Sequence, residues 1–141
     1  MPDHPLIPHL RGILDPSRSD PLSRQIVEDI WVQVVEGHLP TGQRLPTVRR
    51  LAIALGLSPR SVQRAYAELE KLGITVTRPG EGTFVSLDPP PEEERRRHRR
   101  FAELCRRTVA EARELGYDPD DLADEIREYR TDGAPTSGED P

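Results

Sequence analysis

Apolar positions along this 141-residue chain fall into blocks of different period. Leu22, Ile26, Ile30 and Val34 recur at four-residue steps with Val27 at their edge, which predicts an amphipathic helix. Asp20 reads as its N-cap, Pro21 as its first position and Gly37, just past Glu36, as its stop. Trp31 falls beside the stripe and reads as a packing residue. His38 to Arg44 then reads as a loop. Leu51, Ala52 and Leu55 predict a second, shorter helix, and Gly56 follows as the residue able to turn left-handed at a helix end. Ser58 supplies the next N-cap and Pro59 the next first position. Val62, Ala65, Tyr66 and Leu69 give the third helix its buried stripe, closed by Leu72. Two short helices around a tight turn make a helix-turn-helix.

The period changes to two directly afterwards. Ile74-Thr75-Val76-Thr77 and Thr83-Phe84-Val85-Ser86 predict two strands joined by the turn Arg78-Pro79-Gly80-Glu81-Gly82, with Arg78 at the tip. A hairpin at this place is a wing. Consecutive prolines at 89–91 then break the pattern. Beyond them Phe101, Leu104, Cys105, Thr108, Ala112 and Leu115 form one helical stripe, with Val109 at its edge and Gly116 as its stop. Asp118 caps a final helix that presents Leu122, Ile126 and Tyr129. Two helices with one stripe each cannot build a core of their own, whereas a second copy can cover both. They read as a dimerisation region rather than as helices folded back on a monomer.

The fold class expected is mainly α with a small β-hairpin: a winged helix-turn-helix followed by a short helical dimerisation region. Residues 1–20 read as an irregular arm, 21–87 as the winged domain, 88–91 as a Pro-rich linker, 92–130 as the two-helix region and 131–141 as a disordered tail. Glu92 to Arg100 reads as a solvated helix start with a Glu93–Arg97 pair, in preference to a phosphate-contacting run.

Charge changes the picture in one way. The chain carries −5 overall, which argues against a nucleic-acid partner, yet residues 38–86 hold seven basic and three acidic side chains. The middle is basic and both ends are acidic, so the local field of the winged region attracts DNA. No apolar run approaches the ~20 residues of a membrane span, and no apolar leader opens the chain, so the expected address is cytoplasmic. The single cysteine, Cys105, excludes an internal disulfide and a cysteine-based zinc cluster, and reads as a small buried hydrophobe. His4, His9, His38 and His98 lack metal-ligand spacing, and no cofactor is expected. No nucleophile, phosphate loop or paired-carboxylate motif marks an enzyme.

A helix-turn-helix reads DNA with the N-terminal part of its second helix. Arg60, Ser61, Gln63 and Arg64 stand there, off the buried stripe. Arg64 and Lys71 fit phosphate contact and a solvated face equally well. The expected partner is double-stranded promoter DNA, bound by a homodimer; a small-molecule effector is left unassigned. The alternative is a winged-helix interaction module whose basic face takes an acidic protein.

Leu45-Pro46-Thr47-Val48-Arg49-Arg50-Leu51-Ala52, Leu55-Gly56-Leu57-Ser58, Ala65-Tyr66-Ala67-Glu68-Leu69-Glu70 with Gly73, and Arg78-Pro79-Gly80-Glu81-Gly82-Thr83-Phe84-Val85 together resemble the GntR family of bacterial transcription regulators. Asp15-Pro16-Ser17, Pro21-Leu22, Gln25-Ile26 and Leu115-Gly116-Tyr117 are similar to its YtrA-like branch, which ends in a short two-helix dimerisation region. The resemblance spans about residues 15–130. It implies that Arg49 contacts DNA, that Ser58, Arg60, Ser61 and Gln63 occupy recognition-helix positions facing bases and phosphates, and that Gly80 and Gly82 approach the minor groove. Pro59 stands where many members have arginine or another donor and offers only apolar contact, so the resemblance does not carry the family's usual operator over to this chain. Arg24 stands where the branch often has an aromatic residue. Repression is the family tendency.

Overall fold

Three buried side chains give the N-terminal segment its structure. In a computed structural model, which describes residues 4–131, Leu6–Ile13 forms α1 with Leu6, Ile7 and Leu10 in the hydrophobic core. The expected irregular arm is corrected here. Pro5 and Pro8 stand at the start and in the first turn, where a missing N–H costs nothing, so they permit a helix instead of breaking one. Side chains fasten α1 as well: His9 Nε2 lies 2.8 Å from Asp29 Oδ1, and the Arg11 guanidinium donates to the Ala54 carbonyl.

Helix α2 (Leu22–Val35) buries Ile26, Val27, Ile30, Trp31 and Val34, so Trp31 packs as expected. It begins one residue later than its sequence suggests. Pro21 holds the N-cap position and makes no side-chain cap, while the Asp20 carboxylate accepts from Arg18 instead. Gln25 closes the entry: its amide donates to the Asp15 and Asp20 carbonyls and its Oε1 accepts from Asp15 N–H. That satisfies a side chain otherwise buried at a polar cost.

Helices α3 (Val48–Leu55) and α4 (Pro59–Lys71) pack on each other, and α4 also packs along α2. Strands β1 (Thr75–Arg78) and β2 (Gly82–Val85) pair antiparallel, Thr75 opposite Val85 and Arg78 opposite Gly82. Both sit one residue away from the expected positions. Ile74 is drawn into the core before the strand begins, and Arg78 is the last strand residue rather than the tip. The other edge of β2 is also occupied. Leu45 N–H donates to the Thr83 carbonyl, Val85 N–H to Gln43 and Gly42 N–H to Val85, each at 2.8 Å. Part of the expected loop therefore bridges to the two-stranded wing, with Arg44 opposite Phe84, and holds it against the domain.

Helices α5 (Glu92–Glu114) and α6 (Pro119–Thr131) complete the described chain, which divides into two compact units between Arg99 and Arg100. The expected linker at 88–91 is not the divide. The first two turns of α5 belong to the winged unit because Arg95, itself paired with Glu92, also reaches Glu28, and the His98 ring packs tilted against Trp31 with centroids 5.3 Å apart. The expected Glu93–Arg97 pair gives way to Glu94–Arg97 and to Glu92 with Arg95 and Arg96. In the second unit Asp118 and Asp121 cap α6 reciprocally, each carboxylate accepting from the other's N–H at 2.8 and 2.9 Å. Ala112 is buried there and Thr108 and Leu122 half-buried, but Phe101, Leu104, Cys105, Leu115, Ile126 and Tyr129 are exposed. Cys105 is thus not a buried hydrophobe within its own chain; two helices supply no third layer to cover it. The expected disordered tail falls, apart from Thr131, outside the described residues.

Candidate nucleic-acid interface

The turn between α3 and α4 is built by local chemistry. Thr47 caps α3 by accepting from Arg50 N–H, and Gly56 ends it in a left-handed conformation at φ +67°. Ser58 caps α4 by accepting from Ser61 N–H, with Pro59 at the first helical position. Tyr66 then locks the two helices together. Its hydroxyl is buried and donates to the Pro46 carbonyl at 2.6 Å, fixing α4 against the entry to α3. Burial pushes the phenol well above its ordinary range, so it stays protonated and able to donate.

That frame leaves one face of α4 to solvent. Val62, Ala65, Tyr66 and Leu69 are buried, while Pro59, Arg60, Gln63 and Arg64 are exposed and Ser61 is half-exposed. Ser58 and Ser61 hydroxyls lie 3.1 Å apart, so both serve the cap before they can serve a ligand. Arg60, Gln63 and Arg64 have no hydrogen-bond partner among the described residues, which leaves their donors available. Arg49 on α3 is likewise exposed and has no partner among the described residues. It lines an open groove of about 560 Å³ with Arg11, Thr47, Arg50, Ile53 and Ala54. No carboxylate is among the described residues that line that groove.

The wing brings further basic groups. Arg78 is exposed and its guanidinium sits 4.5 Å over the Phe84 ring, a cation–π contact that steadies it without neutralising it. Gly80 takes φ +78° in the turn. Gly82 has the stricter requirement: φ is +129°, and a Cβ there would stand 2.9 Å from Arg44 Nε. Glycine at that position lets the Arg44 side chain lie along the wing. Arg11 and Arg44 were invisible as site residues in the sequence. Both are placed by contacts distant in the chain, and only the helical spacing of Leu6, Ile7 and Leu10 hinted that Arg11 belongs to a docked helix.

A capped helix-turn-helix with a wing, its exposed residues basic and polar, defines a DNA-binding domain. The model of the family described as "Bacterial regulatory proteins, gntR family" matches residues 22–85. The HTH-type transcriptional regulator YhcF of Bacillus subtilis is 32% identical over 115 residues, covering 82% of this chain and 94% of the relative. The HTH-type transcriptional repressor YtrA of the same organism is 29% identical, over 84% of this chain and 92% of its own. Among solved structures, a transcriptional antiterminator from Listeria monocytogenes superposes with a TM-score of 0.55 at 26% identity, over 90% and 95% of the two chains. The chain belongs to the GntR family, and its matches to YhcF and YtrA run nearly the full length of those proteins. It is a transcription regulator, not an enzyme, as are the relatives it matches. No helix among the described residues is long and apolar enough to cross a membrane.

Proposed function

We propose that this protein is a sequence-specific double-stranded DNA-binding repressor that acts as a homodimer on an inverted-repeat operator. The observation that carries the reading is the set of unpaired donors on one rigid frame: Arg60, Gln63 and Arg64 on α4, with Arg49 on the helix it packs against. α4 enters the major groove. Arg60 or Arg49 contacts guanine, where a bidentate pair discriminates by roughly 1–3 kcal/mol. Ser58, Ser61 and the helix N-terminus approach phosphates; Pro59 contributes apolar contact to a base edge. Arg78, Gly80 and Gly82 bring the wing to the neighbouring minor groove.

Dimerisation follows from the second unit. Phe101, Leu104, Leu115, Ile126 and Tyr129 remain at least half exposed, a large apolar surface that a second copy covers, with Cys105, Thr108, Ala112 and Leu122 among the seam positions. Two copies double the base contacts. Repression by promoter occlusion is supported by the repressor YtrA among the full-length matches, and the address of such a regulator is the cytoplasm. The test is Arg49→Ala with Arg60→Ala, read by mobility shift and by sedimentation. Duplex binding should fall at least about 30-fold, two contacts of roughly 1–3 kcal/mol each, while the dimer persists. A double variant that binds duplex like the parent contradicts the reading.

A further inference from the structure

The wing turns one face to the core and the other to solvent. Thr75 and Val85 stand opposite each other and are buried, which fixes the inward face. Side chains alternate along a strand, so the outward face carries Val76 with Phe84 and Arg78 with Gly82. Val76 and Arg78 are exposed and Phe84 is half-exposed. Arg44 joins this face from outside the hairpin, opposite Phe84. Its backbone is held on both sides. Val85 N–H donates to the Gln43 carbonyl and Leu45 N–H to that of Thr83, each at 2.8 Å, and His4 Nε2 donates to the Arg44 carbonyl at 2.9 Å. The His4 tautomer follows from Nδ1, which accepts from Leu6 N–H.

Two arginine side chains cross on the outward face. Arg78 is paired with Gly82 but lays its guanidinium over the Phe84 ring, 4.5 Å from the centroid. Arg44 stands opposite Phe84 but lays its guanidinium against Gly82, where a Cβ would come within 2.9 Å of Nε and 3.4 Å of Cζ. One group rests on an aromatic ring and the other on the bare backbone of a glycine. Neither support takes up its N–H donors. Neither guanidinium has a hydrogen bond or an ion pair among the described residues, and Glu81, the one acidic side chain from Thr75 to Val85, pairs with neither.

We infer that Arg44 is a DNA contact, and that with Arg78 it reads the width of the minor groove beside α4, favouring A·T-rich flanks of the operator. This rests on the DNA-binding reading above and deepens it. Strand β1 follows α4 directly, with Ile74 N–H donating to the Leu69 carbonyl at 2.9 Å, so a helix seated in the major groove sets the wing at the adjoining minor groove. That groove is about 6 Å wide, room for side chains rather than for a helix. A-tracts narrow it and deepen its negative potential, which attracts inserted arginine. A guanidinium is more weakly hydrated than an ammonium and loses less on entering. In G·C pairs the guanine N2 amine projects into the groove and sets a donor against the arginine donors.

The test uses the full chain and a duplex that the parent selects from a randomised pool. Three flanks are placed where the wing falls: A·T pairs, G·C pairs, and I·C pairs, in which inosine keeps the major-groove edge of guanine and lacks its minor-groove amine. The parent should bind the A·T and I·C flanks alike and the G·C flank about fivefold more weakly. Arg44→Gln should lose roughly fivefold on the A·T and I·C flanks and less than about twofold on G·C. Its melting temperature should stay at the parental value, because the side chain is exposed. Arg44→Lys keeps the charge and should bind the G·C flank as the parent does, yet lose the preference among flanks. A parent that ranks I·C with G·C, or shows no flank preference, overturns the inference. So does an Arg44→Gln variant that keeps the parental preference, or one that weakens equally on all three flanks, as a phosphate contact or a structural residue would. If the parent selects no duplex, the DNA-binding reading fails and takes this inference with it, an outcome distinct from a parent that binds while Arg44 proves silent.

Discussion

Glu28 shows how burial and pairing compete at a single side chain. It faces Arg95, and the residue is about half-removed from water; desolvation wins and holds the carboxyl above its usual range despite the guanidinium beside it. A carboxyl raised on folding favours its protonated form. Its contribution to stability is present below the unfolded value near pH 4.3 and is lost as pH rises through the folded one. Glutamine cannot titrate, so Glu28→Gln should gain stability relative to the parent between about pH 4 and pH 7, read by urea unfolding at both. A variant that loses ground over that window would show the ion pair outweighing burial. Arg95 retains Glu92 in either protein. None of this was legible in the sequence, because Glu28 and Arg95 are 67 residues apart. Ser58, Pro59 and Gly56 were legible for the opposite reason: caps, first-turn prolines and left-handed glycines act within one turn of chain.

At the scale of elements, α2, α3, α4 and the wing followed from periodicity, with ends displaced by a residue where Ile74 and Pro21 answered to packing and backbone geometry instead. The missed element was α1. Residues 1–20 read as an irregular arm, yet a proline in a first turn is no obstacle to a helix. Leu10 is now a core residue with no exposed surface, so Leu10→Ala should cost about 2–5 kcal/mol in chemical denaturation. An irregular arm would give a surface value, within roughly 0.5 kcal/mol. The same miss hid Arg11 from the candidate site, since its partner Ala54 lies 43 residues away. The exposed donors of α4 were legible because the buried stripe of Val62, Ala65, Tyr66 and Leu69 defines the opposite face.

At the scale of the whole molecule, the chain joins a winged unit that holds its own core to a helical unit that does not. Unit 1 buries eighteen hydrophobic residues in one cluster, whereas beyond Arg99 Ala112 is the only hydrophobic residue counted as buried among the described residues. The buried core lies in the first unit, while the apolar stripe of the second stays exposed. Phe101→Glu with Leu104→Glu should therefore convert a dimer to a monomer in sedimentation at micromolar concentration while helicity is retained, since both side chains are already solvent-exposed within one chain. A double variant that still sediments as a dimer would place the seam elsewhere. The division at Arg99 escaped the sequence reading because three prolines looked like a boundary, and the anchoring of α5 through Arg95 and His98 depends on partners in α2 and α4. The most direct measurement is selection of duplexes from a randomised pool by the full chain, followed by titration of the winners against salt with stoichiometry determined. An inverted repeat bound by two chains, with a steep loss of affinity as salt rises, is the expected result. Enrichment of no sequence, with weak binding that vanishes at physiological salt, would contradict a sequence-specific dimeric regulator.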